Sequence, residues 1–253
     1  MEYKFNFTDQ VIIITGGAMG IGKEMARGFI QFGGHVAIID MNKEVGEQTT
    51  QQLIAEGGKA SFYEADVTDS SKINAAVQDI IEKHGRIDVL INNAGMNKRG
   101  TVADQPEAEW KRIVEINLTS IFIVSKAVIP TMIKRQYGRI INIASAAGLA
   151  ASPEMSAYCA AKAGAISITK AMAMELTRHN ILVNCIAPGY LSTPLTERLK
   201  KEPEKYAKLV KANPQRRFAD ADEVVGPTLL LSSHMASFMG GACISVDGGV
   251  TIS

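Results

Sequence analysis

The sequence predicts an α/β fold: a doubly wound parallel sheet of about seven strands with helices on both faces. Short β-branched runs alternate regularly with long amphipathic stretches along the chain. Several of these runs, such as 11–14, are apolar throughout, which is typical of strands buried on both faces of a parallel sheet. Because no repeat, charge block or low-complexity linker interrupts the 253 residues, we expect a single domain over 1–253.

The alternation assigns an element to most of the chain. The β-branched runs predict strands at 11–15, 36–40, 61–66, 89–92, 139–144, 181–186 and 243–247. The amphipathic stretches predict helices at 21–32, 43–56, 70–84, 106–136, 156–178 and 222–232. Residues 187–218 break this rhythm with four prolines and five lysines, and they follow a strand end. We expect them to form a substrate lid, with a solvated helical excursion as the alternative.

Composition excludes several classes of function. The 27 basic and 26 acidic residues give a net charge of +1 without a basic cluster, so nucleic acid is not expected as a partner. Three cysteines and four histidines are scattered, which predicts no metal site and a reducing, cytoplasmic environment. The first residues lack the apolar run of a signal peptide. The longest uncharged stretch, 224–246, contains glycines and a proline and does not indicate a membrane span.

A glycine-rich loop follows the first predicted strand and opens the first predicted helix. Its spacing, Gly16-x-x-x-Gly20-x-Gly22, differs from the usual Gly-x-Gly-x-x-Gly pattern. Glycines at such a turn let the backbone approach a pyrophosphate, whose charge then lies at the helix N-terminus. A tight turn without a ligand is the alternative, but its position as the first strand–turn–helix unit favours a dinucleotide.

Asp40 ends the second predicted strand, 18 residues after Gly22. A carboxylate there can accept hydrogen bonds from ribose hydroxyls and would repel a 2′-phosphate. Because no Lys or Arg lies in the glycine loop, the sequence predicts NAD as the cofactor, with NADP less favoured. Lys43 keeps NADP open as the alternative, and a simple turn-forming role is the other interpretation of Asp40.

Tyr158 and Lys162 lie one helical turn apart, so their side chains share a helix face. An ammonium near a phenol stabilises phenolate, which predicts a lowered tyrosine pKa and a general acid/base. Ser145 follows the fifth strand, where its hydroxyl could hold a carbonyl or alcohol oxygen. A helix-surface pair is the alternative for Tyr158 and Lys162.

The ordered motifs resemble the short-chain dehydrogenase/reductase family over nearly the whole chain, which implies a Rossmann-type sheet. The matching features, in chain order, are the loop 15–22, Asp66, Asn92-Asn93-Ala94-Gly95, Asn117, Ser145, Tyr158-x-x-x-Lys162, Pro188-Gly189 and the segment 246–249.

The resemblance implies a role for each matched residue. Tyr158 would be the proton donor in reduction and the base in oxidation, and Lys162 would lower its pKa and hold the nicotinamide ribose. Ser145 would orient the substrate oxygen, and Asn117 would hold a water linked to Lys162. Thr193 would bind the nicotinamide carboxamide. The residues expected at the cofactor are Gly16, Met19, Gly20, Ile21, Gly22, Asp40, Asp66, Val67, Asn93, Ala94, Gly95, Tyr158, Lys162, Pro188, Gly189, Leu191 and Thr193.

The resemblance also bears on assembly and substrate. Family members commonly pack through the long helices that carry Asn117 and Tyr158, so a homotetramer is expected, with a dimer as the alternative. Lys98 and Arg99 follow the turn 92–95 and could attract a carboxylate or phosphate, or simply be solvated. The segment 122–130 is similar to sugar-acid members such as gluconate 5-dehydrogenases.

The sequence therefore predicts an NAD(H)-dependent oxidoreductase that interconverts a secondary alcohol and a ketone on a sugar, polyol or sugar acid. Two alternatives stay open. One is a 3-oxoacyl-carrier-protein reductase that uses NADPH, and the other is a non-catalytic NAD-binding protein.

Overall fold

Seven parallel strands form the central sheet of the computed structural model, which describes residues 4–193, 196 and 202–252. Two short strands form a separate parallel pair. The strands are β1 (Val11–Thr15), β2 (His35–Asp40), β3 (Lys59–Glu64), β4 (Val89–Asn92), β5 (Gly138–Ile143), β6 (Ile181–Pro188), β7 (Leu191–Ser192), β8 (Ala219–Asp220) and β9 (Cys243–Val246). The order across the main sheet is β3-β2-β1-β4-β5-β6-β9, which confirms the predicted fold.

The strand order reverses at β1, which lies between β2 and β4. Chain connections leave β1 and β4 in opposite directions at this point, so a crevice opens at their carboxyl ends. The loop after β1 carries the glycine-rich sequence, and the loop after β4 carries the Asn-Asn-Ala-Gly turn. The topology thus places both motifs at one edge of the sheet.

Helices cover both faces of the sheet. They are α1 (Gly20–Gln31), α2 (Lys43–Ala55), α3 (Ser70–His84), α4 (Glu107–Val114), α5 (Ser120–Arg135), α6 (Ser156–Leu176), α7 (Pro203–Ala212) and α8 (Val225–Ser232). Phe29, Leu53 and Leu229 pack α1, α2 and α8 on one face. Ile80 and Val128 pack α3 and α5 on the other face, together with the end of α6. Burial on both faces explains why the central strands are continuously apolar.

The helix predicted at 106–136 is continuous but contains a π turn at Glu115–Thr119, between α4 and α5. The Asn117 side chain donates to the carbonyl of Ile113 at 2.8 Å, and Ser120 donates to the carbonyl of Ile116 at 2.6 Å. These side chains compete with the backbone for carbonyls four residues earlier, which disturbs the α-helical ladder. Periodicity alone did not predict this turn.

Several strand ends differ from their predicted positions, the third and sixth strands by two residues and the strands predicted at 139–144 and 243–247 by one. The third strand ends at Glu64 rather than at 66, which places Asp66 in the following loop. Asp66 accepts a hydrogen bond from the backbone N–H of Thr68 at 2.9 Å, and this local turn ends the strand. The sixth strand continues to Pro188, whose position at the strand end requires no donated hydrogen bond.

The segment 187–218, predicted to be a lid, contains β7 and the helix α7. The ring of Phe218 stacks on Tyr190 at 5.1 Å between centroids and contacts Tyr206 of α7 at 4.8 Å. Pro194, Lys200 and Lys201 of the predicted lid lie outside the described residues. A movement of this segment over the site stays a prediction, as does the single domain over 1–253.

By length and composition alone, the continuous helix Glu107–Arg135 is apolar enough to cross a membrane. In the structure its two halves pack against α3, α6 and strands of the sheet. Core helices of globular proteins meet the same test of length and hydropathy. Part of the apolar surface of this helix therefore lies in the core of the chain, whereas Phe122 stays exposed.

Candidate active site

The loops after β1 and β4 are bonded directly to each other. The side-chain amide of Asn93 donates to the carbonyls of Thr15 and Gly16 at 3.0 and 2.9 Å. The Thr15 hydroxyl accepts from the backbone N–H groups of Asn93 and Ala94 at 3.0 and 3.1 Å. Gly16 has a φ of +63°, and a Cβ there would lie 2.9 Å from the Ala94 Cα. The close approach therefore requires glycine at this position.

The N-terminus of α1 faces the same crevice without a capping side chain. Met19 precedes the helix, makes no capping hydrogen bond and is followed by no acidic residue in the first turn. By contrast, Asn42 and Asp69 cap α2 and α3 with their side chains. Backbone N–H groups at an uncapped helix start favour an anion such as a pyrophosphate.

Asp40 lies at the end of β2 and borders the crevice. One carboxylate oxygen, Oδ2, accepts from the Ala18 N–H at 3.2 Å, and the other, Oδ1, accepts from the Asn42 N–H at 3.0 Å. These two bonds fix a negative charge beside the glycine-rich loop. Such a group can accept hydrogen bonds from ribose hydroxyls and repels an additional phosphate.

Ser145, Tyr158 and Lys162 converge at the carboxyl end of β5. The Ser145 hydroxyl lies near enough to the Tyr158 phenol to influence its pKa, and both side chains line the same cavity. The buried Lys162 ammonium donates to the carbonyl of Ile143 at 2.7 Å and lies 5.7 Å from the centre of the Tyr158 ring. The i,i+4 spacing on α6 and the end of β5 thus bring the three side chains together.

Burial shifts the acidity of both Tyr158 and Lys162. Burial raises the pKa of the Tyr158 phenol above its ordinary value, and the nearby Ser145 hydroxyl only partly opposes this shift. Burial in turn lowers the pKa of Lys162 to about 8. The lowering of the tyrosine pKa by Lys162, which the family resemblance implies, stays a prediction.

The π turn between α4 and α5 directs Asn117 toward this group. Its amide nitrogen donates to the carbonyls of Met96 and Ile113, both at 2.8 Å. Its buried oxygen, Oδ1, has no hydrogen-bond partner among the described residues. A Cβ on Gly95 would lie 2.8 Å from this oxygen and 3.6 Å from the Lys162 ammonium. The orphaned oxygen and the ammonium therefore border the same small space.

One cavity of about 820 Å³ connects these features. Nearly all the predicted site residues line it, whereas Gly22 and Asn117 lie behind its wall. The lining residues among those predicted are Gly16, Met19, Gly20, Ile21, Asp40, Asp66, Val67, Asn93, Ala94, Gly95, Ser145, Tyr158, Lys162, Pro188, Gly189, Leu191 and Thr193. The backbone N–H of Thr193 donates to the hydroxyl of Thr196, which also lines the cavity.

The cavity fits an extended dinucleotide. At the glycine-rich loop, the cavity wall leaves no room for a Cβ at Gly16. The N-terminus of α1 offers uncapped N–H groups to the cavity, and the Asp40 carboxylate lies at its far end. The unpartnered oxygen of Asn117 lies near the opposite, reactive end. Within the described part of the chain, no cluster of three or more His, Cys, Asp or Glu side chains could hold a metal.

The structure distinguishes Arg99 from Lys98. Arg99 lines the cavity and forms a 3.4 Å ion pair with Glu154, whereas Lys98 pairs with Glu109 and does not line it. Sequence reasoning named both cations without choosing between them. It did not identify Arg112, which also lines the cavity, because nothing in the sequence separates this helix residue from its neighbour Lys111.

Comparisons with known proteins identify the family to which the chain belongs. The short chain dehydrogenase family model matches residues 10–204. The chain is 38% identical to a 3-oxoacyl-[acyl-carrier-protein] reductase of Thermotoga maritima over 243 residues, which cover 96% of this chain and 98% of that protein. It is 37% identical to the 5-keto-D-gluconate 5-reductase of Escherichia coli strain K12, over the full length of both proteins.

A solved structure extends the comparison to the fold. The gluconate 5-dehydrogenase from Burkholderia cenocepacia, in complex with NADP and tartrate, superimposes with a TM-score of 0.95 at 32% identity over 98% of each chain. The sheet, the cavity and these relatives lead to one conclusion. The chain belongs to the short-chain dehydrogenase family and is an NAD(P)-dependent oxidoreductase of alcohols and ketones.

Proposed function

We propose that this enzyme interconverts a secondary alcohol and a ketone on a sugar, polyol or sugar acid, with NAD(H) as its cofactor. The observation that carries the proposal is a single cavity that joins the Asp40 carboxylate to the Ser145–Tyr158–Lys162 group and to the Arg99 guanidinium. Asp40 would select the cofactor, the Ser145–Tyr158–Lys162 group would move the proton, and Arg99 would bind the substrate.

The catalytic roles follow from this arrangement. A bound nicotinamide would supply or accept the hydride. Tyr158 Oη would give its proton to the carbonyl oxygen in reduction and take it back in oxidation. Ser145 Oγ, which lines the same cavity as the phenol, would hold the same substrate oxygen. Lys162 Nζ would hold a ribose hydroxyl of the cofactor, and a water between it and Asn117 Oδ1 would connect the tyrosine proton to solvent.

The choice of NAD rests on Asp40. The carboxylate borders the cavity where an adenosine ribose would lie, and an additional phosphate there would face a fixed negative charge. The related Burkholderia enzyme was solved with NADP, and this protein could share that cofactor only by placing a cation near Asp40. We expect Asp40→Asn to lower the kcat/KM ratio of NAD to NADP by at least about tenfold, because the repulsion of a 2′-phosphate falls.

The substrate class rests on Arg99. The relatives include a 5-keto-D-gluconate reductase, and the Burkholderia enzyme was solved with tartrate, a dicarboxylate. Arg99 is the cation that could form a paired contact with such a carboxylate, since Lys98 already pairs with Glu109. The ion pair between Arg99 and Glu154 is long and would be replaced when a carboxylate binds.

The first experiment is a panel of rates at 340 nm. NAD and NADP are each tested with polyols, aldonates, hydroxy acids and 3-oxoacyl thioesters, with wild type, Asp40→Asn and the charge control Glu44→Gln. NAD-linked oxidation of an aldonate or polyol supports the proposal. NADPH-linked reduction of an acyl thioester, the activity named for the Thermotoga relative, would replace it with the acyl reductase. Failure of every substrate would favour a binding role.

We expect Arg99→Gln to raise KM for a sugar acid by about tenfold or more, because a buried carboxylate loses its charged partner. KM for an uncharged polyol should stay nearly unchanged. Lys98→Gln is the matched control and should leave both values near wild type. Equal effects of the two substitutions on KM would show that Arg99 makes no specific contact with the carboxylate and that the loop contributes only its general positive charge.

The proposed assembly is a homotetramer. Phe122 on α5 is 53% exposed and Met174 on α6 is 86% exposed. Association of these helices with a second copy would cover both residues. The tetramer, like the cytoplasmic location, is a prediction.

A further inference from the structure

Asp66 and Arg112 form an ion pair at the wall of the cavity, beyond the end of β3. The Arg112 guanidinium donates through Nη2 to Asp66 Oδ2 at 2.7 Å and through Nη1 to the hydroxyl of Thr68 at 3.0 Å. Thr68 donates to Asp66 Oδ1 twice, from its backbone N–H at 2.9 Å and from its hydroxyl at 2.8 Å. The three side chains thus form a closed ring of hydrogen bonds.

The hydrogen bonds of this ring determine how many further hydrogen bonds the Asp66 carboxylate can accept. An ionised carboxylate has about four lone-pair positions. Donors from the described residues occupy two on Oδ1 and one on Oδ2, which leaves one on Oδ2 for a ligand. The same donors outweigh the desolvation of Asp66 and lower the pKa of its carboxyl, so the acceptor stays ionised near neutral pH.

The position of this acceptor indicates its ligand. The cofactor would extend from the glycine-rich loop after β1, past Asp40 at the end of β2, toward the next strand outward, which is β3. Asp66 and Val67 line the cavity beyond that strand, where the base that follows the ribose would lie. Adenine carries one amino group there that donates hydrogen bonds.

We propose that Arg112 is a positioning residue: it fixes the Asp66 carboxylate so that its one open acceptor meets the amino group of the cofactor's adenine. The inference rests on the proposed use of a nicotinamide dinucleotide. Arg112 also pairs with Glu115, the first residue of the π turn, at 3.2 Å. Arg112 therefore connects the adenine end of the cavity, through its ion pair with Glu115, to the helix that carries Asn117.

The test compares binding of NADH and deamino-NADH, in which a carbonyl oxygen replaces the adenine amino group. Dissociation constants are measured by calorimetry for wild type, Arg112→Met, Arg112→Lys, Asp66→Asn and the double variant that combines Asp66→Asn with Arg112→Met. Lys111→Met is the matched control, since Lys111 is an exposed neighbour that pairs with Glu107. Thermal unfolding of each variant establishes that it is folded.

We expect wild type and Lys111→Met to bind NADH at least about tenfold more tightly than deamino-NADH, because the charged acceptor loses its donor. In Arg112→Met this ratio should fall to about threefold or less, as the carboxylate is free to turn. Arg112→Lys keeps the charge but not the two-point contact and should give an intermediate ratio. Adding Arg112→Met to Asp66→Asn should change the ratio no further, because both residues act through one contact.

A role confined to holding the loop in place would weaken both ligands equally and leave the ratio unchanged, which overturns the inference. Equal affinity of wild type for both ligands overturns it as well. If Arg112→Met does not fold, the ratio measured with Arg112→Lys decides. Failure of wild type to bind NADH, NADPH or their deamino forms would instead count against the proposed function itself.

Discussion

Tyr158→Phe is expected to lower kcat by about a thousandfold or more, the contribution of a positioned general acid/base. The substitution removes only the hydroxyl that donates the proton. The ring keeps its place on α6, so the dissociation constant for NADH should stay within about twofold of wild type. Steady-state rates at 340 nm and calorimetric titration with NADH measure the two effects separately.

The control for this prediction is Tyr137→Phe. Tyr137 lies before β5, at the opposite end of the sheet from the cavity, with its ring 4.6 Å from the Arg139 guanidinium. The same chemical change at that position should leave kcat near wild type. Turnover by Tyr158→Phe at a comparable rate would contradict the proposed proton transfer, and an equal loss in both variants would indicate a general effect on folding.

Gly22→Ala is expected to lower the free energy of unfolding by about 3 kcal/mol and to weaken NADH binding by more than about tenfold. A Cβ on Gly22 would lie 2.2 Å from the carbonyl oxygen of Gly16, 2.7 Å from the Asn93 amide nitrogen and 2.9 Å from the Gly17 Cα. Two of these atoms belong to the backbone and can move only if the glycine-rich loop moves. Urea unfolding without cofactor measures the first effect, and titration with NADH measures the second.

Gly226→Ala is the matched control for this clash. Gly226 lies in α8, and a Cβ there would meet no atom of the described chain within 4 Å. Alanine should therefore stabilise the helix by up to about 1 kcal/mol and leave NADH binding unchanged. If Gly22→Ala unfolds at the urea concentration of wild type and binds NADH normally, the close packing of the loop does not control the cofactor site.

The sheet was predictable because its strands are buried on both faces. The runs at 11–14 and 140–141 are apolar without alternation, which favours strands buried on both faces and hence a helix-covered parallel sheet. The glycine-rich loop and Ser145 each follow a predicted strand, and Tyr158 and Lys162 lie one helical turn apart. These positions indicated where the cavity would lie. Local sequence was sufficient to predict those features whose geometry depends on residues close together in the chain.

The rest depends on contacts between distant parts of the chain. The tyrosine pKa depends on burial by surrounding elements, which no single motif encodes. Asp66 was placed at a strand end, but a hydrogen bond to Thr68 ends the strand two residues earlier. Arg112 looks like a surface residue in the sequence, and only the fold brings it to Asp66. Lys98 and Arg99 are adjacent in sequence, and only the fold shows that Arg99 lines the cavity and that Lys98 does not.

The π turn at Glu115–Thr119 has a consequence for how this protein tolerates changes in length. Such a turn holds one residue more than the α-helical turn it replaces, and one α-helical residue corresponds to a rotation of about 100°. Deleting a single residue there would restore a regular helix while keeping every motif of the family in the sequence. It would also turn α4 relative to α5, so that Arg112 would leave Asp66. An alignment by residue identity would still show every motif of the family. The changed register of one helix would nevertheless have separated residues that contact each other at the site.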